Sequence, residues 1–154
     1  MLTNTQKRMV EWGDCDPAGI VFNPRYFEWF DAATAALFVR ALGIRKSEMT
    51  RRFGIAGIPL VETRATFRVP CTYGDEVEIE STVAEFRRSS FTVRHRLLRE
   101  GGVLAVEGCE IRVWVSRDVD RPGGIRAQPI PREVIARFND PTPPPPPTLA
   151  GKGR

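Results

Sequence analysis

The feature that most constrains this chain is one long helix with apolar residues on more than one face. Asn23 fits an N-cap, Pro24 fits the first helical position, and Gly43 ends the segment, so the predicted helix spans residues 24–42. Its aromatic and aliphatic residues do not keep to one narrow stripe. A helix of this kind has to be mostly enclosed rather than lie on a surface. The rest of the chain must therefore supply the cover.

The segments after residue 58 have the alternation of half-buried strands. In residues 76–86, Val77, Ile79 and Val83 alternate with glutamates. Further strands are predicted over residues 6–12, 61–69, 91–99, 103–115 and 125–130, and shorter helices over residues 47–53 and 131–138. Turn signals separate the long strands, which favours antiparallel pairing. This order predicts an α+β fold in which one antiparallel sheet wraps around one long central helix.

The composition excludes several classes of protein. The 154 residues contain no apolar run long enough to span a membrane and no apolar leader, which predicts a cytoplasmic protein without a membrane partner. The three scattered cysteines and the single His95 give no zinc ligand set, and we expect neither a metal nor a cofactor. The net charge of +4 comes without a long basic block, which argues against a nucleic-acid partner. Most basic residues are arginines, which suits a small phosphorylated ligand.

The segment that carries chemistry directly precedes the long helix. Asp14 and Asp16 are followed by Pro-Ala-Gly and then by the predicted N-cap. Such a loop brings a carboxylate to a helix start, where free N–H groups and the helix dipole polarise a carbonyl. The carboxylate could then attack an acyl group directly or through an activated water. A purely structural loop of turn-forming residues is the alternative.

The run Asp-Cys-Asp-Pro-Ala-Gly-Ile-Val at residues 14–21 resembles the 4-hydroxybenzoyl-CoA thioesterase family of the hotdog-fold superfamily. Further matches at residues 86–91 and 110–113 extend the similarity over residues 6–133. The resemblance implies a hotdog fold and a homo-oligomer, a dimer with composite sites at its interface that pairs again into a tetramer. We expect residues 1–140 to form the hotdog thioesterase domain and residues 141–154 to form a disordered, proline-rich tail.

The resemblance also implies roles for individual residues. The family's catalytic carboxylate falls on Asp16, and the amide that polarises the thioester carbonyl falls on Asn23. The residue that contacts the hydroxyl group of an aromatic acyl group falls on Asp31, for which an arginine or N–H partner across the subunit interface is an equal alternative. The contacts to the phosphates of CoA fall on Arg87, Arg88 and Arg126.

Three positions depart from the family pattern. Ile58 replaces a threonine near the acyl pocket, and Ser89 and Gly124 replace basic residues that would contact CoA. The expected substrate is an aromatic acyl-CoA, and a short-chain aliphatic acyl-CoA or an acyl-carrier-protein thioester is the alternative. A hotdog dehydratase would need a catalytic histidine, but His95 alternates inward with Phe91, which predicts a core or interface position. A non-catalytic acyl-CoA-binding protein is the remaining hypothesis.

Overall fold

The computed structural model describes residues 1–140, 142 and 144–147. In chain order its elements are β1 (Thr3–Met9), α1 (Asn23–Leu42), α2 (Lys46–Phe53), β2 (Leu60–Phe67), β3 (Glu76–Phe86), β4 (Ser90–Arg99), β5 (Val103–Val113), β6 (Val115–Arg117), β7 (Ile125–Ala127) and α3 (Arg132–Asn139). Five strands form an antiparallel sheet in the order β1-β3-β4-β5-β2, and β6 pairs with β7. The predicted α+β architecture is confirmed.

Helix α1 ends at the predicted residue but begins one residue earlier than predicted. The N-cap is Phe22, without a side-chain cap, and Asn23 is the first helical residue, while Gly43 ends the helix with φ of 69°. The buried residues recur every three or four positions as a single stripe: Tyr26, Trp29, Phe30, Ala33, Thr34, Leu37, Phe38 and Ala41. Fourteen of its twenty residues are buried or half-buried, as expected of a mostly enclosed helix, and most of the exposed ones, among them Glu28 and Asp31, lie along one side. No described helix is long and apolar enough to span a membrane.

The core is divided into two clusters along α1. The first half of the helix packs with β1, β3, β4 and β5, where Phe30, Ile79 and Leu97 are buried. The second half packs with α2 and α3, where Phe38, Trp114 and Phe138 are buried. The helix approaches β5 closely, since a Cβ atom on Gly108 would lie only 2.5 Å from the Phe30 ring.

Strand boundaries differ from the predictions at two points of the chain. The first strand ends at Met9 instead of continuing to residue 12, because Trp12–Asp14 form a 3₁₀ turn. The predicted strand over residues 103–115 is divided at Trp114, whose N–H donates to the carbonyl of Ser89 at 2.8 Å. The glutamate-alternating segment matches β3 at both ends.

Strand β2 forms an exposed edge of the five-stranded sheet. Seven of its eight residues are exposed, among them the apolar Leu60, Val61 and Phe67. An edge strand with exposed apolar side chains is a surface that another strand can pair with.

The predicted tail at residues 141–154 falls largely outside the described residues. Of this segment the structure describes Thr142 and residues 144–147. Two carbons of Pro144 lie 2.8 Å from the position that a Cβ atom on Gly43 would occupy. The proline segment thus passes directly over the C-terminal end of α1.

Candidate active site

Asp14 ties together the loop that precedes α1. Its carboxylate accepts the N–H of Glu11 at 2.9 Å, and its carbonyl accepts the N–H of Phe22 at 2.8 Å. Arg25 Nε lies 3.8 Å from the Asp14 carboxylate. Asp14 is almost fully buried, and these contacts give it a structural role in the loop.

Asp16 lies in a tight reversal of the same loop. Its Oδ1 accepts the N–H of Ala18 at 2.8 Å, and its own N–H donates to the carbonyl of Ile20 at 2.9 Å. Gly19 makes the reversal possible with φ of 79°, a conformation that favours glycine. No described residue hydrogen-bonds to Asp16 Oδ2, so one carboxylate oxygen is held and the other is available.

The loop folds back on itself directly before α1. Cys15 and Val21 form an antiparallel bridge, and the Val21 N–H donates to the carbonyl of Cys71 at 2.9 Å. Asn23 follows as the first residue of a 20-residue helix, so its N–H has no acceptor within the helix. The positive end of the helix dipole lies at this point. The loop that carries the Asp16 carboxylate therefore leads directly into the free amide at the helix start.

Asp31 lies further along α1 on its exposed side and pairs with Arg112 of β5. Arg112 Nη2 donates to Asp31 Oδ1 at 2.5 Å, while 59% of the Asp31 side chain is exposed. The arginine partner expected across a subunit interface is thus found within the same chain. Arg112 Nη1 also donates to the carbonyl of Ile58 at 3.2 Å. The Ile58 side chain itself is buried in the core beside the second half of α1.

Two of the three arginines predicted to contact CoA lie together. Arg88 and Arg126 line a shallow pocket of about 330 Å³, and Arg121 lines it as well. Arg126 Nε lies 3.0 Å from Asp118, so its guanidinium is anchored at one side. Arg87 is exposed and pairs with Glu85 at 3.3 Å, outside the lining of this pocket. Sequence reasoning missed Arg121, which is brought there by the loop between β6 and β7.

A buried polar network extends from Arg112 into the core. Arg112 donates to Glu110 through Nε at 2.9 Å and through Nη2 at 3.1 Å. Thr34 Oγ1 donates to Glu110 Oε2 at 2.6 Å. His95 Nε2 lies 3.5 Å from the same oxygen, and His95 Nδ1 lies 2.7 Å from Ser81 Oγ. His95 is also stacked on Phe30 at 4.7 Å, which confirms its predicted core position.

The network keeps a buried carboxylate ionised. Burial alone raises the pKa of Glu110, but hydrogen bonds from His95, Arg112 and Thr34, together with the positive charge of Arg112, outweigh burial and lower this pKa to about 2. Glu110 and Arg112 occupy successive inward positions of β5. Charged residues at inward strand positions were the signal in the sequence that could have identified the network.

The described residues contain no group of three or more His, Cys, Asp or Glu side chains that could hold a metal ion. The groups that the candidate site offers are the Asp16 carboxylate and the free amide at the helix start, with the Asp31 carboxylate further along the helix. Chemically, this arrangement fits attack on a polarised acyl group.

The family of the chain follows from comparison with known proteins. A sequence profile of the Thioesterase-like superfamily matches residues 10–138. The chain belongs to this superfamily, and it has the hotdog fold. The resemblance noted in the sequence and the prediction of a thioester-hydrolysing enzyme are thereby confirmed.

Individual relatives cover nearly the whole domain. The 4-hydroxybenzoyl-CoA thioesterase of Pseudomonas sp. strain CBS-3 is 38% identical over an alignment of 136 positions, which covers 85% of this chain and 94% of the relative. The crystal structure of an aspartate-to-asparagine variant of 4-hydroxybenzoyl-CoA thioesterase, in complex with 4-hydroxybenzoyl-CoA, has a TM-score of 0.80 at 35% identity and covers 88% of this chain and 98% of that one. A gentisyl-CoA thioesterase has a TM-score of 0.74 at 31% identity and covers 89% of this chain and all of that one.

The low pKa of Glu110 predicts a specific loss of stability in acid. Because the folded protein favours the ionised form, the stabilisation is complete above about pH 4.5 and is lost as the pH falls towards 2, by up to about 3 kcal/mol. At pH 7, Glu110→Gln should lower the free energy of unfolding by about 3–5 kcal/mol, because Arg112 loses its buried partner. Urea unfolding should show that the difference in the free energy of unfolding between this variant and the wild type shrinks between pH 4.5 and pH 3.

The control for this prediction is Glu133→Gln, the same change on the exposed surface of α3. This variant should follow the wild-type curve at every pH. A difference between Glu110→Gln and the wild type that stays constant from pH 7 to pH 3 would show that Glu110 is not the titrating group.

Proposed function

We propose that this protein hydrolyses an aromatic acyl-CoA thioester with the Asp16 carboxylate as the reactive group and the Asn23 N–H as the donor to the thioester carbonyl. The observation that carries the proposal is the closed loop directly before α1, in which Asp16 pairs with Ile20 and the free amide of Asn23 follows three residues later. The relatives that act on 4-hydroxybenzoyl-CoA and gentisyl-CoA support an aromatic acyl group. A short-chain aliphatic acyl group would give Asp31 nothing to bind.

The chemistry needs few groups. The thioester carbonyl oxygen accepts the Asn23 N–H, and the helix dipole stabilises the negative charge that develops on this oxygen. Asp16 either attacks the carbonyl carbon, forming a mixed anhydride that water then hydrolyses, or takes a proton from a water that attacks instead. In both routes the C–S bond breaks and CoA leaves as a thiolate, so no strong general acid is required. No metal or cofactor takes part in the proposed reaction.

The nucleotide part of CoA is assigned to the arginines. Arg88 and Arg126 share a pocket, which Arg121 extends, and guanidinium groups bind phosphate through paired N–H donors. Arg87 lies on the neighbouring surface and is proposed to contact the phosphates from there. Asp31 and Ile58 mark the acyl end of the site, since Arg112 contacts both of them.

The active protein is proposed to be a homodimer that pairs again into a homotetramer. Strand β2 offers an exposed edge with apolar side chains, and the exposed side of α1 carries Asp31 near this edge, since Leu60 of β2 lies opposite Arg112. A partner at this edge would cover Asp31 and complete a composite site. A cytoplasmic location is also proposed, because CoA thioesters are made and consumed inside cells. Residues 1–140 are proposed as the catalytic domain and residues 141–154 as a tail outside the site.

Replacing Asp16 with asparagine tests the reactive group. Asp16→Asn should lower kcat for the best aromatic acyl-CoA by about 10²- to 10⁴-fold with little change in KM, because the carboxylate acts in the chemical step. Release of free CoA thiol measures the rate, and Asp140→Asn at the end of α3 is the matched control. Undiminished turnover by Asp16→Asn would refute the assignment. A panel of benzoyl, hydroxybenzoyl, phenylacetyl and short aliphatic CoA esters identifies the best substrate.

Removing the pocket arginines tests the nucleotide assignment. Arg88→Ala and Arg126→Ala should each raise KM for the acyl-CoA by up to about fivefold and leave kcat unchanged, because these exposed contacts bind ground state and transition state alike. Hydrolysis of the matching acyl-pantetheine, which lacks the nucleotide, should not change. Equal losses on both substrates would contradict phosphate binding. Arg132→Ala on α3 serves as the control.

A charge on the β2 edge tests the dimer. Val61 is 64% exposed, and Val61→Arg would place two like charges opposite each other across a two-fold interface. Sedimentation velocity should show a dimer or tetramer for the wild type and a monomer for this variant. Val119→Arg makes the same change at a site that is 91% exposed and should leave the assembly intact. A monomeric wild type would refute the proposed assembly.

A further inference from the structure

We propose that Arg112 is a positioning residue that orients Asp31 and thereby sets the selectivity of the enzyme for aromatic acyl groups whose ring carries a hydrogen-bond donor. This inference rests on the proposed function. It assigns a role to a buried residue of β5 that lies 81 positions from Asp31 in the sequence.

The guanidinium of Arg112 has almost no freedom to move. A guanidinium carries five N–H donors in a planar fork. In Arg112 four of them are engaged: two by the Glu110 carboxylate, one by Asp31 Oδ1 and one by the carbonyl of Ile58. Its side chain is only 5% exposed. The orientation of the group is thus fixed by partners on three different segments of the chain.

The far side of Arg112 is anchored in the core. Glu110 is 1% exposed and is held by Thr34 of α1 as well as by Arg112. His95 lies against the same carboxylate and is fixed in turn by Ser81. Because these groups lie inside the sheet, the position of Arg112 is set by the core and not by the exposed residue that it contacts.

On the exposed side of Arg112, Asp31 presents one oriented carboxylate oxygen. Asp31 Oδ1 accepts from Arg112, whereas no described residue hydrogen-bonds to Oδ2, and the side chain is largely exposed. An ionised carboxylate can only accept hydrogen bonds. A hydroxyl or amino group on the acyl ring can donate to Oδ2, but a hydrogen or fluorine atom cannot.

The charges at this end of the site favour the same substrates. Asp31 presents a carboxylate at the exposed end of the network, and 59% of its side chain is exposed. An acyl group with its own carboxylate would be repelled there. Neutral rings with a donor are therefore preferred over both anionic rings and rings without a donor.

The test compares kcat/KM for 4-hydroxybenzoyl-CoA and benzoyl-CoA, which differ by one hydroxyl group. The wild type should favour the hydroxylated ester by at least about tenfold. Asp31→Asn, an exposed change with little risk for folding, and Arg112→Met should both bring this ratio close to one by slowing only the hydroxylated ester. Arg112→Lys keeps the charge but loses the fork, so it should restore part of the ratio. Glu28→Gln, on the exposed side of α1, should leave the ratio unchanged.

Each outcome separates the inference from the proposed function. If Arg112→Met slows both esters equally, Arg112 only supports the fold and the inference is wrong. If the wild type hydrolyses both esters equally well, the inference is wrong while the proposed hydrolysis stands. If the wild type hydrolyses no CoA ester, the proposed function fails. If Arg112→Met does not fold, the double variant Arg112→Met/Glu110→Met takes its place in the comparison. This double variant removes both buried charges together.

Discussion

The packing of α1 against one side of a curved sheet is the constraint on which the fold and the candidate site depend. Burial of large side chains such as Trp29, Phe30 and Phe38 stabilises this contact, at about 1.5–3 kcal/mol for each fully buried side chain. The close approach at Gly108 fixes the distance between helix and sheet. With the helix held in this way, its N-terminus meets the Asp14–Asp16 loop, and its uncovered side presents Asp31.

The interior of the sheet is not purely apolar, and its polar part lies where the uncovered side of α1 begins. Charged pairs in a core seldom add stability over apolar residues of the same size, because both groups lose their hydration. The network of Thr34, His95, Glu110 and Arg112 is therefore better explained by what it holds in place than by the energy that it contributes. It connects the core to the one exposed carboxylate of the proposed acyl end.

The sequence was a good guide wherever local chemistry decides the structure. Gly43 marked the helix end, and the alternation of glutamates matched β3. The sequence did not show which side of α1 stays exposed, because an apolar pattern does not reveal how many layers surround a helix. The contact between Asp31 and Arg112 was also beyond reach, since it joins a helix to a strand far along the chain. The proposed roles of Asp16 and Asn23 came from the resemblance and stay predictions.

The central claim is that a thioester carbonyl lies between the Asp16 carboxylate and the Asn23 amide. A crystal structure of the protein with a non-hydrolysable analogue of its best acyl-CoA, bound in place of the thioester, tests this claim most directly. We predict the carbonyl oxygen at about 2.7–3.1 Å from the Asn23 nitrogen. A carboxylate oxygen of Asp16 should lie about 3–3.5 Å from the carbonyl carbon, or be joined to it by one water. An analogue bound with its carbonyl away from the start of α1 would contradict the account.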